Sequence, residues 1–164
     1  MALLIRVATE ADIPDILELI NDAILHTTAV YQDVLQTLEM RTKWYHDRLK
    51  NGYPVIVADI DGEFAGFASY GEFRYGFGYR FTVEHSVYIS ANRQGKGLGK
   101  ALVKELITIA RANELHSIIA GIDADTQPSI NMHLSLGFKE VAHLKDAGYK
   151  FGRWLDLKLL QLIL

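Results

Sequence analysis

The segment Gln94-Gly95-Lys96-Gly97-Leu98-Gly99-Lys100 carries the densest chemical signal in the chain. It stands between a β-rich run, residues 81–89, and a helix-forming run, residues 98–112. Glycine admits positive φ and close approach of the backbone to a ligand. The first turn of a helix leaves N–H groups unpaired and carries a partial positive charge. Such a turn holds an anion, and Arg93, Lys96 and Lys100 add cationic side chains, so a di- or triphosphate fits. Two common phosphate motifs do not match. A P-loop ending at Gly99-Lys100 needs Gly at 94 and Ser or Thr at 101, where Gln94 and Ala101 stand. A dinucleotide fingerprint needs Gly at 100 or 102, where Lys100 and Leu102 stand. A basic surface turn with no ligand is the competing reading of the spacing.

Three further groups are suited to chemistry. Glu84, late in the run before the loop, is a carboxylate that can accept a proton if a partly apolar pocket raises its pKa. Its bland alternative is a surface ion pair. His133 can donate a proton near neutral pH, or can simply be satisfied on a helix face. Arg74 and Arg80 flank the aromatic stretch 75–79, and a guanidinium can hold a carboxylate through two parallel hydrogen bonds. Phe73, Tyr75 and Phe77 are suited to wall an apolar side chain there, although a solvated loop arginine is the simpler reading.

The elements that must position these groups follow from periodicity. Residues 3–8 read as a strand. Thr9-x-x-Asp12 resembles a capping box for a helix in which Ile13, Ile16, Leu17, Ile20 and Ile24 recur at helical spacing. Thr37 caps a second helix that stops at Asn51-Gly52. Runs 54–60 and 63–70 surround Asp61-Gly62, a hairpin signal. Residues 71–80 read as an irregular loop over a pocket, 81–89 as a strand, 91–97 as a polar loop and 98–112 as a helix. A buried strand at 116–123, a short helix at 129–136 ended by Gly137, and strands at 138–143 and 155–164 complete the order β-α-α-β-β-β-α-β-α-β-β. The apolar end, residues 159–164, reads as core strand before interface.

Composition removes several classes. The 164 residues make one domain, 1–164, with apolar and charged fractions of 49% and 23% that suit a globular protein. A net charge of −3 does not suggest a nucleic-acid backbone binder. The absence of cysteine excludes thiol nucleophiles, disulfides and zinc-thiolate sites. The histidines lack metal-ligand spacing, so no metal is expected. No apolar run is long enough to span a membrane, and the short apolar start does not match a signal peptide, so a cytoplasmic location is expected.

The pattern formed by Gln94, Gly97 and Gly99, after a strand and opening a helix, resembles the pyrophosphate loop of the GCN5-related N-acetyltransferases. The likeness spans essentially the whole chain. Asn21-Asp22-Ala23, Thr27-Thr28-Ala29, Gly66-Phe67-Ala68-Ser69-Tyr70, Glu84-His85-Ser86-Val87-Tyr88 and Lys150-Phe151-Gly152-Arg153-Trp154 resemble the phosphinothricin branch, and most of all its methionine sulfoximine and methionine sulfone acetyltransferases.

The resemblance implies a mixed α/β fold with a central, largely antiparallel twisted sheet and helices on both faces. It implies acetyl-CoA as cosubstrate, held by the backbone of Val87, Tyr88 and Ile89 and by the loop Gln94, Gly95, Lys96, Gly97, Leu98, Gly99 and Lys100. Thr126 stands where many superfamily members have Asn and is a weaker cofactor contact. Glu84 matches the general base and His133 the position that protonates the leaving thiolate. Arg74, Tyr75, Gly76, Glu84, His85 and Ser86 match substrate contacts. The implied partner is a small amino-acid-like molecule, and the implied assembly a homodimer. A non-catalytic CoA-binding regulator and a peptide or protein N-acetyltransferase are the rival readings.

Overall fold

The computed structural model describes residues 1–164. Strand β1 (Leu3–Val7) leads into helices α1 (Ile13–His26) and α2 (Leu38–Lys50), then β2 (Val55–Ile60), β3 (Glu63–Glu72) and β4 (Thr82–Ile89). Helix α3 (Leu98–Ala112) crosses over to β5 (Ser117–Asp123); α4 (Gln127–Ser135), β6 (Lys139–Lys150) and β7 (Arg153–Ile163) follow. The seven strands form one sheet in the order β1-β2-β3-β4-β5-β7-β6. All neighbours are antiparallel except β4 and β5, the one pair joined through a crossover helix.

Side chains alternate across the strands and fill a core on each face. On one face Leu102, Val103 and Leu106 of α3 pack against Ile56, Ala68, Val83 and Ile118. On the other, Ile13, Ile16 and Leu19 of α1 and Tyr45 of α2 pack against Val55, Val57 and Phe67. β4 therefore has two distinct faces. Val83, Val87 and Ile89 turn to the α3 core, whereas Tyr88 packs with the α1–α2 core.

Element order and type follow the periodicity throughout; the departures are local. β6 runs to Lys150 instead of stopping near 143, because register irregularities between Leu144 and Gly148 absorb Lys145-Asp146-Ala147 within one long hairpin. That hairpin closes through Phe151 and Gly152, with φ of 54° and 73°. A phenylalanine is a poor signal for such a turn. Pro128 falls in the first turn of α4, which begins at Gln127. Within 71–80, Gly71 and Glu72 extend β3 and Phe77–Tyr79 form one 3-10 turn. The apolar C-terminal run lies in a central strand, with β7 between β5 and β6, and sends Leu160 and Leu162 into the core while Ile163 stays exposed. No helix is long and apolar enough to cross a membrane.

Candidate functional site

The sheet splits between β4 and β5. Their pairing runs only from Thr82↔Ser117 to His85↔Ala120, while β5 continues along β7 to Asp123↔Leu157. Beyond His85, the side of β4 away from β3 has no strand partner; Val87 and Ile89 point their backbone groups there, whereas Tyr88, expected to join them, turns its own toward Phe67 of β3. A narrow cavity of about 100 Å³ occupies the split, bordered by Ser86, Val87, Tyr88, Gly121, Asp123, Thr126 and His133. An amide-bearing chain can pair with such an edge as another strand would.

The same strand ends at the anion loop. Gln94 Nε2 donates to the carbonyl of Ile89 at 3.2 Å and ties the loop to β4. Gly95 and Gly97 take φ of 74° and 79°, and Gly97 is the left-handed N-cap of α3 with no side-chain cap. The first intrahelical bond is Ala101 N–H to Gly97 O. The N–H groups of Leu98, Gly99 and Lys100 are thus open at the positive end of a 15-residue helix. A Cβ at Gly95 or Gly97 would meet no protein atom, so both glycines serve backbone shape rather than packing. Lys96 and Lys100 remain as the loop's cations. Arg93 does not: it is committed to Glu63 at 2.6 Å. The unpaired edge of β4 followed by an open helix end fits the amides and pyrophosphate of acetyl-CoA.

Glu84 lies on the α1–α2 side of β4, beside the start of the split. The strands on both sides of it carry glycine: Gly71 on β3 is its register partner, and a Cβ on Gly121 of β5 would lie 3.4 Å from Glu84 Oε1. Neither flanking strand places a side chain of its own at these two positions; the Arg48 guanidinium fills the space over Gly71 instead. Glu84 remains solvent-accessible, yet the atoms crowding it strip enough water to raise its pKa, and the Arg48 guanidinium opposes that rise.

His85 and His133 meet beneath the split, Nε2 to Nε2 at 2.9 Å, with near-parallel rings. The Nδ1 of His133 donates to Ser129 O at 2.7 Å. Both rings are buried, and Phe138 packs edge-on against each. Burial, then the neighbouring His133, pushes His85 down to about 3; burial also lowers His133. Both rings are thus neutral at pH 7, with the tautomers fixed by their contacts. His133 borders the cavity, but neither of its ring nitrogens is free to reach a thiolate.

The remaining expected residues are not all gathered at Glu84. Ser86 and Thr126 border the cavity with His85. Thr126 N-caps α4 without a side-chain cap bond, and its N–H donates to Asp123 O. Arg74, Tyr75 and Gly76 line a separate groove with Tyr53 and Glu72. The Arg74 guanidinium lies 6.0 Å from the Tyr79 ring. Tyr75 and Phe77 are 92% and 79% exposed, so in a single chain they wall nothing. No three His, Asp or Glu side chains converge as a metal site requires.

Sequence reading missed four residues here: Gly71, Gly121, Arg48 and Asp123. Asp123 borders the cavity and its Oδ2 is buried without a partner. The glycines were the available signal, since glycine inside a strand marks a close approach. The connector between α1 and α2 also joins the site, bringing Ala29 to the cavity. It is pinned from the β6–β7 hairpin: buried Lys150 donates to Thr27 O and Val30 O at 2.6 and 2.7 Å, and Tyr31 donates to Asp156 O. A Cβ on Gly148 would lie 2.3 Å from the Tyr31 ring, so this glycine makes room for the pin.

Comparison with known proteins agrees with this geometry. Residues 5–159 match the family model of the acetyltransferase (GNAT) domain. The L-methionine sulfoximine/L-methionine sulfone acetyltransferase of Salmonella typhimurium is 46% identical over 158 residues, covering 96% of this chain and 92% of that protein. Among solved structures, a phosphinothricin acetyltransferase from Sinorhizobium meliloti in complex with acetyl-CoA superposes with a TM-score of 0.96 at 36% identity, covering 100% of this chain and 89% of that one. A ribosomal-protein-alanine N-acetyltransferase from Brucella melitensis superposes with a TM-score of 0.97 at 48% identity, covering 98% and 99%. The split sheet, the open helix end and these relatives together place the chain in the GNAT acetyltransferase family, as an N-acetyltransferase that uses acetyl-CoA.

Proposed function

We propose that the protein acetylates the α-amino group of a small amino acid of the methionine sulfoximine, methionine sulfone or phosphinothricin type. The observation that carries this reading is the juxtaposition on β4: a carboxylate between two strand glycines at the start of the split, and the open anion loop at the end of the same strand. Acetyl-CoA supplies the activated acetyl thioester. Val87 and Ile89, on either side of Tyr88, offer their backbone to its amide arm, and the N–H groups from Gly95 to Lys100 receive its pyrophosphate, with Thr126 as a lesser contact. Glu84 accepts the acceptor's ammonium proton, directly or through water. A backbone N–H near Tyr88 polarises the thioester oxygen.

Arg74, with Tyr75 and Gly76, supplies the acceptor's carboxylate contact from the substrate loop, and His85 and Ser86 shape the floor. The leaving thiolate takes its proton from His133 or from water. Water is the route this geometry favours, because His133 must give up a hydrogen bond to act. Direct transfer in a ternary complex, by a homodimer in the cytoplasm, completes the reading. Ping-pong kinetics would count against the first, and a monomer in light scattering against the second.

The Brucella neighbour's name favours a second reading, a peptide N-terminus as acceptor. Thiol release from acetyl-CoA separates the two. The panel holds L-methionine sulfoximine, L-methionine sulfone, phosphinothricin and an alanine-terminated peptide. Turnover of the free amino acids is expected; turnover of the peptide alone would overturn the proposal.

A further inference from the structure

The Nη1 of Arg48 is buried and has no hydrogen-bond partner. Burial lowers the pKa of this guanidinium, and Tyr53, Tyr88 and Glu84 oppose the fall. A half-buried cation with one orphan buried donor is costly, so its position calls for another reason.

The seat is built by an absence. A Cβ on Gly71 would lie 2.1 Å from Arg48 Nη1 and 2.5 Å from its Cζ. Gly71 is the register partner of Glu84, and directly opposed residues of antiparallel strands project to the same face. The guanidinium therefore occupies the space where the neighbour of the Glu84 side chain would stand. Trp44 backs it, with its ring centre 5.4 Å from Cζ.

The other titratable and charged groups around Glu84 are few. On β4, Tyr88 projects to the same face. α2 adds Arg41, already bound to Gln36. Past the end of α2 stands Tyr53. On β5, Asp123 lies two residues beyond Gly121. On β3, Glu72 pairs with Val83, on the opposite side. Among these, Arg48 is the group that acts on the Glu84 carboxylate.

We infer that Arg48, seated in the gap left by Gly71, is a positioning residue that serves as the counter-charge of Glu84 and keeps the base in its carboxylate form. This rests on Glu84 being the base. The test follows the acidic limb of kcat/KM with two amine acceptors of different basicity, which separates Glu84 from the substrate amine. Arg48→Met moves that limb to higher pH, by about 0.5–1 unit. Gly71→Ala does the same, because its methyl group displaces the guanidinium. Arg48→Lys returns the limb most of the way. Calorimetric affinity for acetyl-CoA stays at the parent value in all three.

Glu84→Gln is run beside them. If it abolishes the limb while folded Arg48→Met and Gly71→Ala leave the limb in place, the Arg48 inference is wrong and the base stands. If Glu84→Gln keeps the parental limb, the base assignment itself fails, and the inference with it. Either the Arg48 or the Gly71 variant is decisive if the other does not fold.

Discussion

Replacing His85 by glutamine tests the buried imidazole pair through stability. The His133 Nδ1–H is committed to Ser129 O, so neutral His133 offers its Nε2 lone pair and His85 donates to it. His85 has a folded pKa of about 3, against an ordinary value near 6.5. Between those values the unfolded chain binds up to one more proton than the folded one. Stability contributed by the neutral ring is present above the unfolded value and falls as the pH drops, with a limiting slope of about 1.4 kcal/mol per pH unit. Integrated from pH 6.5 to 4.5, that is a loss of about 2 kcal/mol from His85. His133, also lowered, adds in the same direction. Glutamine cannot titrate, and its amide can still donate to His133. Urea unfolding of parent and His85→Gln at both pH values gives a difference of differences, in which groups common to both proteins, such as the Arg6–Asp12 pair, cancel. The variant is expected to lose about 2 kcal/mol less than the parent on acidification. Equal losses would show that His85 charges freely in the folded state, and the fixed-tautomer pair would be refuted.

Glu84→Gln should lower kcat by about 10²–10⁴ with little change in substrate binding, and the deficit should shrink at high pH, where more amine arrives deprotonated; steady-state rates across pH measure both. Gly97→Val should fold, since a side chain at 97 meets no protein atom, but the φ of 79° resists a β-branched residue; calorimetry should report roughly tenfold or greater loss of acetyl-CoA affinity. Arg74→Ala should raise KM for α-amino acids by roughly 10–100-fold, leave acetyl-CoA affinity unchanged and spare an amine lacking the carboxylate.

What could be read in advance follows the range of the physics. Helices α1 and α3 and strands β2 to β5 announce themselves through local periodicity, and the anion loop lies on contiguous residues, so both were legible. The resemblance supplied Glu84 and His133. What the sequence concealed is pairing at a distance. His85 and His133 are 48 residues apart, and no local pattern says that each satisfies the other. Arg48 looks like a solvated helix residue until Gly71 is set beneath it. Lys150 looks like an exposed cation until its ammonium is found on the carbonyls of Thr27 and Val30. β6 was misjudged because Asp146, at a φ of 51°, lies within a strand irregularity that imitates a turn.

The two faces of β4 bear on how one strand would serve the two reactants proposed for it. Residues pointing to the α3 core, Val83, Val87 and Ile89, hold the strand in place by burial. That leaves the backbone beyond His85 to pair with something other than β5. Residues pointing the other way, Glu84, Ser86 and Tyr88, lie on the α1–α2 side, where Tyr88 packs and where the acceptor site is proposed. The imidazole pair lies where these two functions join, linking α4 to β4 at the residue after Glu84. Its Nε2–Nε2 contact ties α4 to β4 where the β4–β5 pairing ends, while the Nδ1 of His85 is buried without a partner. A proton donor needs a free nitrogen, and both nitrogens of His133 are occupied. β4 leaves β5 at His85, so the edge proposed for the cosubstrate and the carboxylate proposed as base begin at adjacent residues of one strand.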